Sequence, residues 1–182
     1  MNKCITVLIL VLLSSCCKEG VEVNRYLLTE IEKECIPYQN NETIRFIHSN
    51  GYQLDFTVSN RHTRMERTEA HHCGENYSTY ESLKVGLFSN TPELYVELEM
   101  VSNEYNPFMA ISINSYHFYL NISSAPDFDT LTINEKLYNN IYLGESFNAD
   151  SLTILPKEIL YNKEYGIIQI EMTNEEKFTI ND

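Results

Sequence analysis

The stretch that decides the fold is TIRFIHSNGYQLDFTV, residues 43–58. Its two halves flank Asn50-Gly51, a dipeptide that strongly favours a β-hairpin turn. In the second half, apolar and polar residues alternate, so the apolar residues share one face of a strand. These residues are Tyr52, Leu54, Phe56 and Val58. Since a period of two is typical of a half-buried strand, this segment predicts an antiparallel β fold.

The same alternation continues to the end of the chain. It predicts further strands at 80–88, 94–100, 108–114, 116–121, 130–133, 136–143, 151–155, 158–161, 166–172 and 177–180. Between them, the polar stretch 60–76 predicts a long loop or an exposed edge. About ten short strands at roughly ten-residue spacing predict a mainly β fold, either an antiparallel β-sandwich or a partly open barrel.

One short N-terminal helix is expected before the hairpin. Apolar residues recur there every four positions, a spacing typical of an amphipathic helix. They are Val23, Leu27, Ile31 and Cys35. Pro37 disfavours helical geometry in the residue before it, so the helix is expected to end at about Cys35.

Composition bounds the class of protein. The 182 residues are 43% hydrophobic and 21% charged, as expected of a single globular domain. Against 26 acidic residues stand 13 Lys and Arg, a formal net charge of −13. Phosphate backbones are bound by basic surfaces, so this acidity argues against nucleic acid as a partner.

The first 20 residues, MNKCITVLILVLLSSCCKEG, have the pattern of a secretory signal. One cation, Lys3, precedes a continuous apolar run at 4–13, and two serines follow. The run is too short to span a bilayer, since a transmembrane helix needs about 20 apolar residues.

The end of this signal, Leu13-Ser14-Ser15-Cys16, resembles the lipobox of bacterial lipoproteins. The resemblance implies cleavage after residue 15 and acylation of Cys16, and two or more acyl chains give stable membrane attachment. Cys17-Lys18-Glu19 is similar to the export tag of bacteroidete lipoproteins, which implies an outer-membrane location with surface exposure. An ordinary signal peptide that ends near a cysteine, or an uncleaved anchor, are the alternatives.

The expected organisation is therefore a lipoprotein signal peptide at 1–15, a lipidated tether at 16–21 and a single mainly β domain at 22–182. Of the five cysteines, Cys35 and Cys73 remain in the domain. Because an envelope compartment is oxidising, these two are candidates for a disulfide. Two separate thiols, one of them buried, are the alternative.

Four further stretches resemble a group of uncharacterised bacteroidete lipoproteins. They are Ile36-Pro37-Tyr38 with 42–46 and Gly51; Cys73 with Tyr77 and YESLKV at 80–85; LTINEKLYNNIY at 131–142; and ILYNKEYGII at 159–168. Members of the group often carry Trp near their end, where this chain has Phe178. The resemblance implies a β fold and an envelope location but brings no catalytic residues. In the last stretch, Gly166 is expected at a turn or a close approach that a Cβ would prevent.

The densest group of potential metal ligands lies in the polar stretch 60–76. Its candidates are His62, His71 and His72, with Glu66, Cys73 and Glu75 nearby. Imidazole and thiolate suit Zn²⁺ and copper. Adjacent histidines in a strand point to opposite faces, however, and the chain has no H-E-x-x-H motif or C-x-x-C pair. We therefore expect neither a bound metal nor another cofactor.

Aromatic residues provide a second group of candidates. Tyr116, Phe118 and Tyr119, or the pair Tyr138 and Tyr142, could form a platform for sugar rings or peptide, although aromatic residues also favour strands for packing alone. The adjacent His117 is expected to be a half-buried sheet residue rather than a general base.

Together these features predict a non-enzymatic, lipid-anchored envelope protein with an interaction or structural role and an unknown protein or small-molecule partner. The alternative is a half-barrel carrier of an apolar small molecule, which requires an apolar cavity of about 300 Å³ or more. A metal-assisted enzyme that uses the histidine-rich loop is a third hypothesis.

Overall fold

The computed structural model describes residues 20–68, 74–146 and 154–181. These residues form two compact units. The smaller unit contains residues 20–25, 67–68 and 74–79, and the larger unit contains 26–66 together with the described residues from 80 onward. Among the described residues, no helix has the length and apolar character that a membrane span requires.

Twelve strands and one short helix are present in the described residues. The helix, α1, spans Glu30–Glu34. The strands are β1 (Glu22–Tyr26), β2 (Thr43–His48), β3 (Gln53–Arg67), β4 (Tyr77–Asn90), β5 (Glu93–Val101), β6 (Phe108–Ile113), β7 (Tyr116–Leu120), β8 (Phe128–Ile133), β9 (Lys136–Glu145), β10 (Pro156–Asn162), β11 (Gly166–Met172) and β12 (Lys177–Ile180).

The strands form one open antiparallel sheet in the order β7-β6-β5-β4-β3-β2-β12-β11-β10-β9-β8, and β1 pairs with β4. Strands β2 to β7 follow one another as one meander and β8 to β12 as a second, and pairing of β12 with β2 joins the two. Strand β7 also contacts β9. The predicted mainly β class with one short helix is confirmed.

The hairpin at 43–58 forms as its alternation predicts. Thr43 pairs with Thr57, and this register places Phe46 opposite Leu54 on the buried face. The turn closes where the Gly51 amide donates to the carbonyl oxygen of His48 at 2.7 Å. Gly51 has φ +87°, a conformation that glycine adopts without steric cost.

The prediction of a helix beginning near Val23 is wrong. Residues 22–26 form strand β1, and the helix begins only at Glu30. A capping box sets this start, because the Thr29 hydroxyl accepts from the Glu32 amide while the Glu32 carboxylate accepts from the Thr29 amide. The apolar residues of the expected stripe are mostly exposed: Val23, Leu27 and Ile31. The helix ends at Glu34 with Cys35 as its C-cap, close to the end that Pro37 predicts.

The polar stretch 60–76 is not all loop. Strand β3 continues through it to Arg67 and neighbours β4 in the sheet, whereas its register with β2 covers Gln53–Thr57. Its side chains are polar because most of them face solvent, while the pairing of the backbone does not depend on apolar residues.

Within the larger unit, the inner side chains of both meanders form one apolar core. Its largest fully buried members include Tyr38, Tyr161, Phe46, Phe56 and Phe118. The closing hairpin joins this core through Gly166, which has φ +78°. A Cβ on Gly166 would lie 2.2 Å from the Tyr38 hydroxyl oxygen, so the predicted need for glycine at a close approach is confirmed.

Arg61 fixes the segment after helix α1 to strand β3. Its guanidinium donates to the carbonyl oxygens of Ile36 at 2.8 Å, Tyr38 at 3.0 Å and Lys33 at 3.1 Å. These carbonyls belong to a helix end and the turn beyond it, where backbone acceptors lack helical partners. Burial lowers the pKa of Arg61, but a guanidinium stays charged in proteins.

In the smaller unit, strand β1 lies beside the start of β4. The Tyr77 amide donates to the Val21 carbonyl at 3.1 Å. Arg25 forms a two-bond contact with the Glu22 carboxylate, and both nitrogen–oxygen distances are 2.9 Å. Hydrogen bonds from Arg25 and Thr79 lower the pKa of Glu22 to about 2.

Candidate functional site

Three large aromatic side chains are exposed near one another at the end of the first meander. Tyr105 is 84% exposed, Tyr119 58% and Phe108 41%. They line one depression of about 600 Å³ together with the loop residues 103–107. We call Tyr105, Phe108 and Tyr119 the aromatic patch.

The strand register explains why two of these rings are neighbours. Ala110 pairs with Tyr119, and Phe108 precedes Ala110 by two residues on the same face of β6. Phe108 and Tyr119 are therefore diagonal neighbours, a relation within reach of aromatic side chains.

The third ring is presented by an ordered turn. The Asn103 side-chain oxygen accepts from the amides of Tyr105 at 2.9 Å and Asn106 at 3.0 Å. An asparagine that bonds its own backbone in this way stabilises a local turn. Tyr105 is thus held out toward solvent by backbone geometry.

A charged pocket of about 380 Å³ adjoins the depression of the aromatic patch, and Asn103 and Phe108 line both. Strands β3, β4 and β5 contribute Arg64, Glu66, Tyr80, Lys84 and Glu99 to the pocket. Ser102 and Asn103 are its other polar residues.

The carboxylate of Glu66 in the charged pocket has three side-chain partners. It forms an ion pair with Arg64 and accepts from Ser82 at 3.2 Å and from Tyr80 at 3.3 Å. Burial alone would raise the pKa of Glu66, but these contacts outweigh burial and lower it. Burial and the neighbouring Glu66 raise the pKa of Tyr80. At neutral pH the pair is therefore an ionised carboxylate and a neutral phenol.

Lys84 occupies the other side of the charged pocket. Its ammonium lies 3.1 Å from Glu99 and 3.6 Å from Glu97. Lys84 pairs with Glu99 across β4 and β5, Glu99 pairs with Ala110, and Ala110 pairs with Tyr119. Lys84 and Glu99 of the charged pocket and Tyr119 of the aromatic patch thus lie in one row of side chains across four strands.

A second groove, of about 460 Å³, lies beside strand β8 at the other end of the sheet. Apolar side chains line part of it, namely Phe128, Leu131, Ile133, Leu143 and Leu160. The rest is lined by the charged residues Glu158, Glu171 and Lys177 and by the neutral polar residues Thr132, Asn134 and Gln169. Glu171 lies 2.9 Å from Lys177, and this contact lowers the pKa of Glu171 despite partial burial.

Several predicted site residues lie outside the described ranges. Cys16, His71, His72 and Cys73 are among them. Of the metal candidates, His62 is described; it is exposed, with its Nδ1 2.6 Å from the carbonyl oxygen of Asn60. Among the residues that the structure describes, no group of three or more metal-ligating side chains comes together.

Cys35 is buried at the end of helix α1, and no disulfide joins it to another of the described residues. Its sulfur lies 3.4 Å from the carbonyl oxygen of Ile31, and burial raises the pKa of the thiol. Its predicted disulfide partner, Cys73, lies outside the described residues, so the bridge stays a prediction.

Most of the predicted aromatic platform packs inside the protein. Phe118, Tyr138 and Tyr142 belong to the core, and Tyr116 packs against it. Only Tyr119 of the predicted set is on the surface. Alternation within β7 places Tyr119 and Phe118 on opposite faces of the strand, but it does not indicate which of the two faces solvent.

His117 is exposed rather than half-buried, and its Nδ1 lies 2.8 Å from the Ser112 hydroxyl oxygen. The two residues pair across β6 and β7 on the same face as Tyr119 and Ala110. This contact explains a histidine at that position, because each side chain gives the other a hydrogen-bond partner.

Comparison of the chain with known proteins finds no matching family model, no similar curated protein and no similar solved structure.

Proposed function

We propose that this chain is a lipid-anchored protein of the bacterial outer membrane that acts by binding a partner through the aromatic patch, without catalysis. The observation that carries the proposal is the exposure of Tyr105, Phe108 and Tyr119 around one depression. Burying such rings in water-excluding contact is a main source of binding energy, and tyrosine is enriched at binding hot spots. Contiguous exposed apolar surface is uncommon unless it serves binding.

The presentation of these rings supports the same conclusion. Two belong to paired strands and the third is held by the Asn103 turn. A surface that is ordered before binding loses less conformational freedom when it binds. An aromatic patch of this kind is thus suited to recognition.

The carrier alternative has less support. The inner faces of the strands are filled by one continuous core, and the groove beside β8 is lined by Glu158, Glu171 and Lys177 as well as by apolar residues. An apolar ligand in that groove would have to desolvate these charges, which opposes binding.

Crosslinking tests the interaction proposal. A photo-crosslinking amino acid is placed at Tyr105, at Tyr119 or at the control position Leu137, which is 60% exposed on β9. The expected result is a discrete crosslinked species in intact cells from the two patch positions and not from the control. The proposal fails if the pattern is the same at all three positions, or if no species appears and the patch binds no small ligand either.

Labelling tests the anchor. Cells that express the chain are fed an alkyne-tagged palmitate, and the wild type is compared with Cys16→Ala and Cys17→Ala. Label is expected on the wild type and on Cys17→Ala but not on Cys16→Ala. Label that is still present on the Cys16→Ala variant rules out the hypothesis that Cys16 is the lipidated residue of a lipobox.

A further inference from the structure

The aromatic patch and the charged pocket together have the dimensions of a site for an elongated ligand. The two depressions, of about 600 and 380 Å³, share Asn103 and Phe108. The row from Lys84 to Tyr119 crosses four strands, a width of about 14 Å at the usual strand spacing. A single small metabolite would fill only part of this length.

The charges of the pocket are already satisfied within the protein. Arg64 pairs with Glu66, and Lys84 pairs with Glu99 and Glu97. An ionic ligand would have to break these pairs, and the net charge of −13 opposes an anionic one. A neutral ligand leaves the pairs intact.

The same groups still offer hydrogen bonds. A carboxylate has about four acceptor positions and a guanidinium has five donors, so Glu66 and Arg64 keep capacity beyond their mutual contact. The Tyr80 hydroxyl is an acceptor as well as a donor. Donors and acceptors placed close together suit a ligand whose own hydroxyl groups do both.

The aromatic patch adds flat apolar faces next to these polar groups. Tyr119 ends the row that contains the Lys84–Glu99 pair, with the small Ala110 between them. A ligand lying along the row would contact a ring at one end and paired charges at the other. This combination matches a sugar ring, which has an apolar C–H face and hydroxyl groups around its edge.

From this arrangement we infer that the ligand of the site is a neutral oligosaccharide, stacked on Tyr119 and Tyr105 and hydrogen-bonded by Arg64, Glu66 and Tyr80. The inference rests on the binding function proposed above and names its ligand class. It accounts for two features that a general protein interface does not require, the internally paired charges and the small residue at Ala110.

Binding of neutral hexasaccharides tests the inference. Cellohexaose, chitohexaose, laminarihexaose and mannohexaose are titrated separately into the purified full chain, held in detergent, and followed by calorimetry and NMR, up to about 5 mM. At least one of the four is expected to bind. Addition of 0.5 M NaCl is expected to leave its affinity unchanged, because no net charge is neutralised.

Three variants assign that binding to the site. Tyr119→Ala is expected to weaken it by about tenfold or more, since it removes the stacking face. Tyr119→Phe keeps the face and is expected to stay within about threefold of the wild type. Leu137→Ala, an exposed apolar position on β9, is expected to change nothing. Both positions are exposed, so circular dichroism should show an unchanged fold for all three variants.

Failure of all four sugars overturns the inference, as does binding that is lost in salt or that Tyr119→Ala leaves unaltered. If none binds while crosslinking at Tyr119 still captures a discrete partner, the ligand class is wrong and the interaction proposal stands. If both experiments are negative, the aromatic patch has no binding role and both proposals fail.

Discussion

Gly166→Ala should be among the most damaging small changes that this chain can carry. Two separate effects combine at this position. Gly166 has φ +78°, and the added Cβ would lie 2.2 Å from the hydroxyl oxygen and 2.3 Å from Cζ of Tyr38. Tyr38 is fully buried, so its ring cannot swing into solvent.

The magnitude follows from these two effects and from one hydrogen bond. A left-handed backbone costs an alanine about 1–2 kcal/mol. Overpacking against a buried ring costs about 1–3 kcal/mol. A displaced Tyr38 ring would also lose the hydrogen bond that its hydroxyl accepts from the Ile167 amide at 2.6 Å, which is worth about 1 kcal/mol. We expect a total loss of about 3–6 kcal/mol, a large part of the stability of a typical domain.

Gly51→Ala is the matched control, because Gly51 also has positive φ, +87°, but has no atom within 4 Å of the position of a Cβ. It should lose only the backbone part, about 1–2 kcal/mol. Both variants are compared with the wild type by guanidinium-induced unfolding followed by circular dichroism. If the two lose the same free energy of unfolding within about 0.5 kcal/mol, the close approach to Tyr38 does not matter and the reasoning is refuted.

Three further predictions concern the segment that leads into the hairpin. Arg61→Ala should lower the free energy of unfolding by about 2–4 kcal/mol, because three backbone carbonyls lose a charged donor. Arg61→Lys should lose about half as much, since an ammonium cannot reproduce the forked donors of a guanidinium. Urea unfolding measures both variants, and equal losses would contradict a role for the forked geometry. Burial raises the pKa of Tyr161 well above 10, so the stability it contributes is fully present below about pH 10 and is lost as pH rises above that value. Tyr161→Phe should be less stable than the wild type at pH 8, because the Cys35 carbonyl loses its hydrogen bond. Between pH 10 and 11, however, the free energy of unfolding should fall less in this variant than in the wild type. Urea titrations that show equal falls in both proteins would contradict the prediction. Thr29→Ala should cost about 1 kcal/mol by removing the cap of helix α1, whereas Thr29→Ser should cost little, and thermal unfolding of the two variants gives the comparison.

The correct predictions rest on patterns within short segments of the sequence. The alternation at 52–58 depends only on the chain's own period of two, and the strands at 166–172 and 177–180 occur within the predicted bounds. Asn50-Gly51 marks a turn because of the conformational freedom of Gly51, a property of that residue alone. Patterns of this kind can be interpreted without knowing which distant strand pairs with the segment.

The wrong predictions concern segments whose structure depends on a strand that is distant in sequence. Val23 and Leu27 have helical spacing, yet residues 22–26 form a strand that pairs with β4, more than 50 residues away. Strand β3 continues through a polar stretch beside β4, beyond the residues that pair with β2. Hydrogen bonding between strands overrides local propensity, and the partner's position cannot be read from the segment itself.

The amino-acid sequence by itself determined that this chain is mainly β, that a hairpin turns at Gly51 and that Gly166 meets a close neighbour. Only the tertiary structure decided which aromatic rings reach the surface and what lies beside them. Tyr119 and Phe118 are adjacent in sequence, yet one is exposed and the other is fully buried. The candidate site arises from the register that aligns Lys84, Glu99, Ala110 and Tyr119 across four strands. A register is a relation between strands, set by how their buried faces pack together, so no single segment of the sequence contains it.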